Sequence, residues 1–170
     1  IHCGREPASA GYKVPVHEIS GAALLRRALE RHNSTICIVP HLGWDEPDEF
    51  EAMLAEFPNL YLDTTMVIEG FLHGRDRMQQ MVKSISGAHA VGAGVFCRAK
   101  IVKRIVERWP NRILYGTDFP NLPYGWSHEL SAIRALGLPT TTEELLLGGN
   151  ADRLFGITAG GRGLAAGPVP

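Results

Sequence analysis

The sequence predicts an α/β fold made of four consecutive βα units, about half of an eight-unit parallel barrel. Three observations lead there. Short apolar runs alternate with helix-like sequence in the order strand, helix, strand, helix, with few hairpin signals. The runs begin roughly 20 to 50 residues apart, around the ~30 per unit of an ordinary barrel. Three of them also stop at a metal-capable side chain: Ile1 at His2, Ile36–Val39 at His41, and Ile113–Tyr115 at Asp118. In a parallel array the C-terminal strand ends share one face, so these side chains converge.

The elements follow in order. The Ile1 run reads as the end of a strand, and there is no initiator Met, so further sequence is expected before Ile1. A polar loop from Arg5 to Val16 leads to a helix over Gly21–His32, with Ser20 as its cap and an apolar stripe of Leu24, Leu25, Ala28 and Leu29. Asn33 and Ser34 break it. Thr35–Val39 is rich in β-branched residues, as expected of a strand covered on both faces. Asp45–Phe57 is the second helix, with acidic residues and Pro47 in its first turn and a stripe of Phe50, Met53, Leu54 and Phe57. Leu60-Tyr61-Leu62 is a short strand that stops at Asp63.

Arg75–Ile85 reads as helix and Gly87–Gly94 as a loop over the strand ends. Ala99–Trp109 is amphipathic through Ile101, Val102, Ile105, Val106 and Trp109. The Ile113 strand follows, then a helix over Trp126–Leu136. Thr141–Leu147 and Ala151–Phe155 are short helices around a Gly148-Gly149-Asn150 break. Residues 1–157 make one unit, and the Gly-, Ala- and Pro-rich residues 158–170 a flexible tail.

Composition narrows the function. The chain has 170 residues, 45% hydrophobic and 21% charged, with a net charge of −1, which describes a soluble globular domain able to bury a core. Without a Lys/Arg cluster there is no footprint for nucleic acid. No apolar stretch approaches the ~18 residues of a membrane span, and the Ile-His-Cys start has no secretory pattern. Cys3, Cys37 and Cys97 are sparse and lack CxxC spacing, which argues against a disulfide framework or a zinc ribbon. Cys3 and Cys37 read as buried thiols, and the reducing cytoplasm is the expected compartment.

Two imidazoles and a carboxylate on one face are the donors of a divalent cation and its activated water. His2 and Asp118 are the expected metal ligands. His41 is the expected base beside the water, since imidazole titrates near neutrality. The alternative is that each merely caps a strand. Asp63 is a candidate substrate contact, with an Asx-type turn to Thr64 and Thr65 as the alternative. Arg5 could bind a substrate carboxylate, and His73 lies in a segment that could cover the site. His17 and His128 read as solvated, His32 as helix-terminal, and His89 carries no signal. The stretch Asp118–Ser127 holds no Lys or Arg. It reads as an aromatic wall, suited to a planar or apolar organic substrate better than to a sugar phosphate.

Several pieces resemble the amidohydrolase superfamily, in particular the amidohydrolase-2 branch, which holds aminocarboxymuconate-semialdehyde decarboxylase, resorcylate-type decarboxylases and lactone hydrolases. They are Ile1-His2, Pro40-His41-Leu42-Gly43, Leu60-Tyr61-Leu62-Asp63-Thr64, Tyr115-Gly116-Thr117-Asp118-Phe119-Pro120 and Gly149-Asn150-Ala151-Asp152-Arg153-Leu154-Phe155. The resemblance implies the C-terminal half of a (β/α)8 TIM barrel. It places His2 after strand five as a ligand, His41 after strand six beside the metal-bound water, and Asp118 after strand eight as ligand and proton acceptor. It also implies a divalent ion, zinc or else manganese, and hydrolysis or non-oxidative decarboxylation of a small substrate. No strand end in these residues carries the His-x-His or Glu-x-His pair of the family's first strand. The partner implied is therefore the N-terminal half of the barrel. Open sheet edges also allow a homo-oligomer, or a non-catalytic half-barrel that pairs with another chain. A metal-independent barrel lyase or isomerase is the remaining alternative.

Overall fold

The computed structural model describes residues 3, 19–44, 46–67, 99–120 and 125–157. They form an α/β structure with a parallel sheet of three strands in the order β1-β2-β3: β1 Cys37–Val39, β2 Leu60–Asp63 and β3 Ile113–Leu114. Register sets Ile38 beside Tyr61, Val39 and Ile113 on either side of Leu62, and Leu114 beside Asp63. Because side chains alternate along a strand, Val39, Leu62 and Ile113 share one face. All three are fully buried. Ile38, Tyr61, Asp63 and Leu114 share the other, where Ile38, Tyr61 and Asp63 are only half-buried. The expectation of full cover on both faces of β1 therefore fails at Cys37 and Ile38.

The helices cover the first face. They are α1 Ala22–Arg31, α2 Pro47–Glu56, α3 Ala99–Arg108, α4 Ser127–Ala135, α5 Thr140–Glu144 and α6 Asn150–Phe155. Leu25 and Leu29, Phe50, Met53 and Leu54, Val102, Ile105 and Val106, and Ile133 turn inward from successive helices into one core. Their spacing is the 3.6-residue stripe seen in the sequence. Ion pairs tie neighbouring helices: Arg26 forks onto Glu56 between α1 and α2, and Arg104 reaches Asp48 at 2.5 Å and Glu51 at 2.6 Å between α3 and α2.

Three local expectations are corrected. Ser20 is not the cap of α1. Gly21 is, and the Glu46 carboxylate, far along the chain, accepts the Ala22 N–H at 3.3 Å. The strand expected from Thr35 begins at Cys37, because the Thr35 N–H turns back to the His32 carbonyl at 3.1 Å. Nor do Gly148-Gly149-Asn150 break the last helices. The chain passes through them as one π-helical stretch, Leu145–Gly149, between α5 and α6. Cys3 is buried as expected and Cys37 half-buried, where burial pushes its thiol pKa up. The Ile1 strand, the 75–85 helix, the 87–94 loop, Cys97 and the 158–170 tail lie outside the described residues. Among the described residues no helix is long and apolar enough to cross a membrane.

Candidate active site

The site lies where the three strands end. After β1 the chain enters a tight turn, Pro40–Gly43, and leaves ordinary backbone space. His41 has φ 59 and ψ 25, and Leu42 φ 50 and ψ 28, both left-handed. Trp44 (φ 57), Met66 (φ 57) and Asp118 (φ 68) are also positive, so every described non-glycine outlier follows the end of a strand. Such residues persist only where their surroundings over-determine them, and they cluster at functional sites.

The surroundings are visible at His41, which is 4% exposed. Its backbone N–H donates to Asp63 Oδ1 at 3.1 Å. The same oxygen accepts the Thr65 N–H at 2.9 Å, the Asx-type turn weighed from the sequence. The His41 ring lies with Nδ1 2.8 Å from the Thr65 carbonyl oxygen. A carbonyl can only accept, so Nδ1 carries a proton, and in a neutral ring the lone pair then lies on Nε2. Trp44 meets the imidazole edge-on, with centroids 5.4 Å apart.

Two glycines make the close approaches possible. At Gly43 (φ 79) a Cβ would sit 1.9 Å from Phe50 Cδ2, so only glycine lets this turn lie on α2. At Gly116 a Cβ would sit 2.2 Å from Thr65 Oγ1 and 3.6 Å from Asp63 Cγ. The end of β3 therefore abuts the Asp63–Thr65 turn, with Asp118 two residues further on. There the Phe119 N–H donates to Thr117 Oγ1 at 3.2 Å. Phe119 and Trp126 are 69% and 56% exposed. Residues 121–124 between them lie outside the described residues.

The structure thus brings together His41, Asp63, Thr65 and Gly116, with Asp118 on the adjoining loop. His2, Arg5 and His73 lie outside the described residues, as do His17 and His89. His32 caps the C-terminus of α1, and His128 is exposed on α4. In the sequence Thr65 reads only as part of the Asx-type turn, since its backbone acceptor leaves no side-chain signal. Gly43 and Gly116 stand there only as parts of motifs.

Imidazole and carboxylate are the right kinds of donor for zinc, yet about three protein ligands hold a catalytic ion. Among the described residues no three His, Cys, Asp or Glu side chains come together in that way.

The terminal segment Gly149–Phe155 has a mechanical job. Asn150 Nδ2 donates to the carbonyls of Pro110 and Ile113, both at 2.7 Å, and Arg153 reaches Asn111 Oδ1 at 2.9 Å.

An amidohydrolase family model matches residues 1–157. Among solved structures, the chain is similar to a zinc-bound amidohydrolase from Burkholderia multivorans, at a TM-score of 0.54 and 15% identity. The match covers 81% of this chain and 49% of that one, so the chain spans about half the length of its structural neighbour. No curated protein matches.

Proposed function

Because the chain belongs to the amidohydrolase family, we propose that it carries half of the catalytic face of a metal-dependent hydrolase. In this reading the three-stranded sheet is part of a (β/α)8 barrel, and the other strands come from a second half-barrel. The substrate is a small organic lactone, amide or carboxylate. The observation that carries the reading is the joined set of strand ends: His41 held through Asp63 and Thr65, with the Asp118 loop packed against them through Gly116.

Asp118 and His2 are the residues that would hold the ion, zinc or else manganese. When bound, such an ion lowers the pKa of its water to about 7 and polarises the substrate oxygen. His41 handles the proton. Its Nδ1–H is engaged by Thr65, so Nε2 takes a proton in one step and returns it in the next. Arg5 offers a guanidinium for a substrate carboxylate, and His73 a second contact. Phe119 and Trp126 provide apolar surface beside the Asp118 loop, which favours a planar or apolar substrate over a phosphorylated one.

The test is Asp118→Asn in the full-length protein, with metal content measured beside turnover of a panel of lactones, amides and aromatic carboxylates. An amide is a poor anionic ligand and cannot accept the proton, so metal and turnover fall together. Ring opening or amide cleavage identifies hydrolysis, whereas CO2 release identifies decarboxylation. Stoichiometric metal and a near-normal rate in the variant would reduce Asp118 to a turn residue and sink the proposal.

A further inference from the structure

We infer that Asp63 is a positioning residue for His41: one carboxylate oxygen sets the backbone that carries the imidazole and the carbonyl that fixes its tautomer. The inference rests on reading His41 as the proton-handling group. Three hydrogen bonds close a triangle between two strand ends. Asp63 Oδ1 accepts the His41 N–H at 3.1 Å and the Thr65 N–H at 2.9 Å, and the Thr65 carbonyl accepts the His41 Nδ1–H at 2.8 Å.

The geometry explains why one oxygen matters to both ends. His41 sits in left-handed backbone at φ 59, which a residue with a side chain leaves unless it is held. The hydrogen bond from its N–H to Asp63 is one holder. Thr65 lies two residues after Asp63, and the Asx-type hydrogen bond orients it. With the carbonyl in place, Nδ1 must carry the proton and Nε2 is basic. With the carbonyl turned away, the ring takes whichever tautomer its neighbours and solvent favour, and Nε2 loses its assured lone pair. Gly116 packs on this triangle from the third strand, which gives the arrangement a floor. A carboxylate engaged in this way acts through His41 rather than on the substrate. Hydrogen-bond partners that orient the ligand histidines of metal sites are worth about 10–100-fold in affinity or activity, and an effect of that order is expected for His41.

The experiment uses the full-length protein with 15N-labelled histidine, and His41→Asn assigns the signals. Asp63→Asn keeps an Oδ1 acceptor but no charge; Asp63→Ala keeps neither. The wild type and Asp63→Asn should both show the Nδ1–H tautomer and similar kcat. In Asp63→Ala the two nitrogen shifts should move toward each other, and kcat should fall about 10–100-fold with KM nearly unchanged. A wild-type tautomer in Asp63→Ala would overturn the inference. So would Asp63→Asn as slow as Asp63→Ala, because the charge would then be what matters. Should Asp63→Ala not fold, an Nε2–H tautomer in the wild type or in Asp63→Asn still overturns it. Full activity in His41→Asn would overturn the proton-handling reading of His41 instead, and the tautomer spectra would still decide whether Asp63 positions the ring.

Discussion

Gly43→Ala tests the packing that places the His41 turn. Gly43 has φ 79, and an added Cβ would lie 1.9 Å from Phe50 Cδ2 and 2.5 Å from Cε2. Phe50 is fully buried on α2, so its ring has little room to yield. Two effects combine. Holding a side chain in left-handed backbone costs about 1–2 kcal/mol. Forcing extra volume into a packed core costs about 1–3 kcal/mol. Together they predict a loss of about 2–5 kcal/mol, a large share of the roughly 5–15 kcal/mol of a typical domain. Urea unfolding of the wild type and variant reads it as a lower midpoint at unchanged slope. Repeating the substitution in a Phe50→Ala background isolates the steric part. The Gly43→Ala penalty should then shrink by about 1–3 kcal/mol, leaving the backbone share. If Gly43→Ala leaves the midpoint where it was, or costs the same with and without the Phe50 ring, then the close approach does not govern this turn.

Two further substitutions address the site and the layer beneath it. His41→Asn should keep metal while turnover falls by about 10²–10⁴-fold, the contribution of an acid–base group. Complete metal loss, measured by elemental analysis, would make His41 a ligand instead. Tyr115→Phe should be neutral or stabilising by about 1 kcal/mol in urea unfolding, because the Tyr115 hydroxyl is buried with no hydrogen-bond partner among the described residues. Burial, and then the Glu129 charge, raise the Tyr115 pKa above its ordinary 10.0. A raised folded-state pKa means stability that is intact below pH 10 and lost as the pH rises beyond it. The variant should lose less stability than the wild type in that alkaline range, and an identical alkaline slope in both would contradict this.

Much of the fold could be read from the residues because its causes are local. The stripes of Leu25 and Leu29, of Phe50, Met53 and Leu54, and of Val102, Ile105 and Val106 recur at helical spacing, and each is buried. The misreadings share a different cause. Ser20 is a good cap residue by type, but the Glu46 carboxylate reaches the helix start from another element. Gly148-Gly149 is a reasonable helix break by propensity, but Asn150 is anchored to the carbonyls of Pro110 and Ile113, and the chain stays helical. At the site, side-chain chemistry marked His41, Asp63 and Asp118. The Thr65 carbonyl left no trace, because any residue type supplies a carbonyl. Nor could spacing tell that Asp63 Oδ1 is taken by two amides.

The two ends of the sheet divide strain from support. At the N-terminal ends, long-range side chains satisfy backbone carbonyls. Arg112 donates to Phe57 O at 2.5 Å and through Nε to Leu60 O at 2.8 Å. Asn59 donates to His32 O at 3.1 Å and Thr35 O at 2.7 Å, while Asn150 holds Pro110 and Ile113. None of these donors needs unusual backbone. At the C-terminal ends, all five described non-glycine residues with positive φ occur within a few residues of a strand, and His41 and Asp118 are among them. In a parallel βα array the first end serves stability and the second serves chemistry. A left-handed non-glycine residue costs of order 1–3 kcal/mol, so several on one face must be offset elsewhere. The Asn and Arg clamps at the opposite end, with the continuous core between, are where this chain has that stability to spare. The strain at His41 is therefore best read as held in place for a task. The triangle of Asp63, Thr65 and His41 is what does the holding.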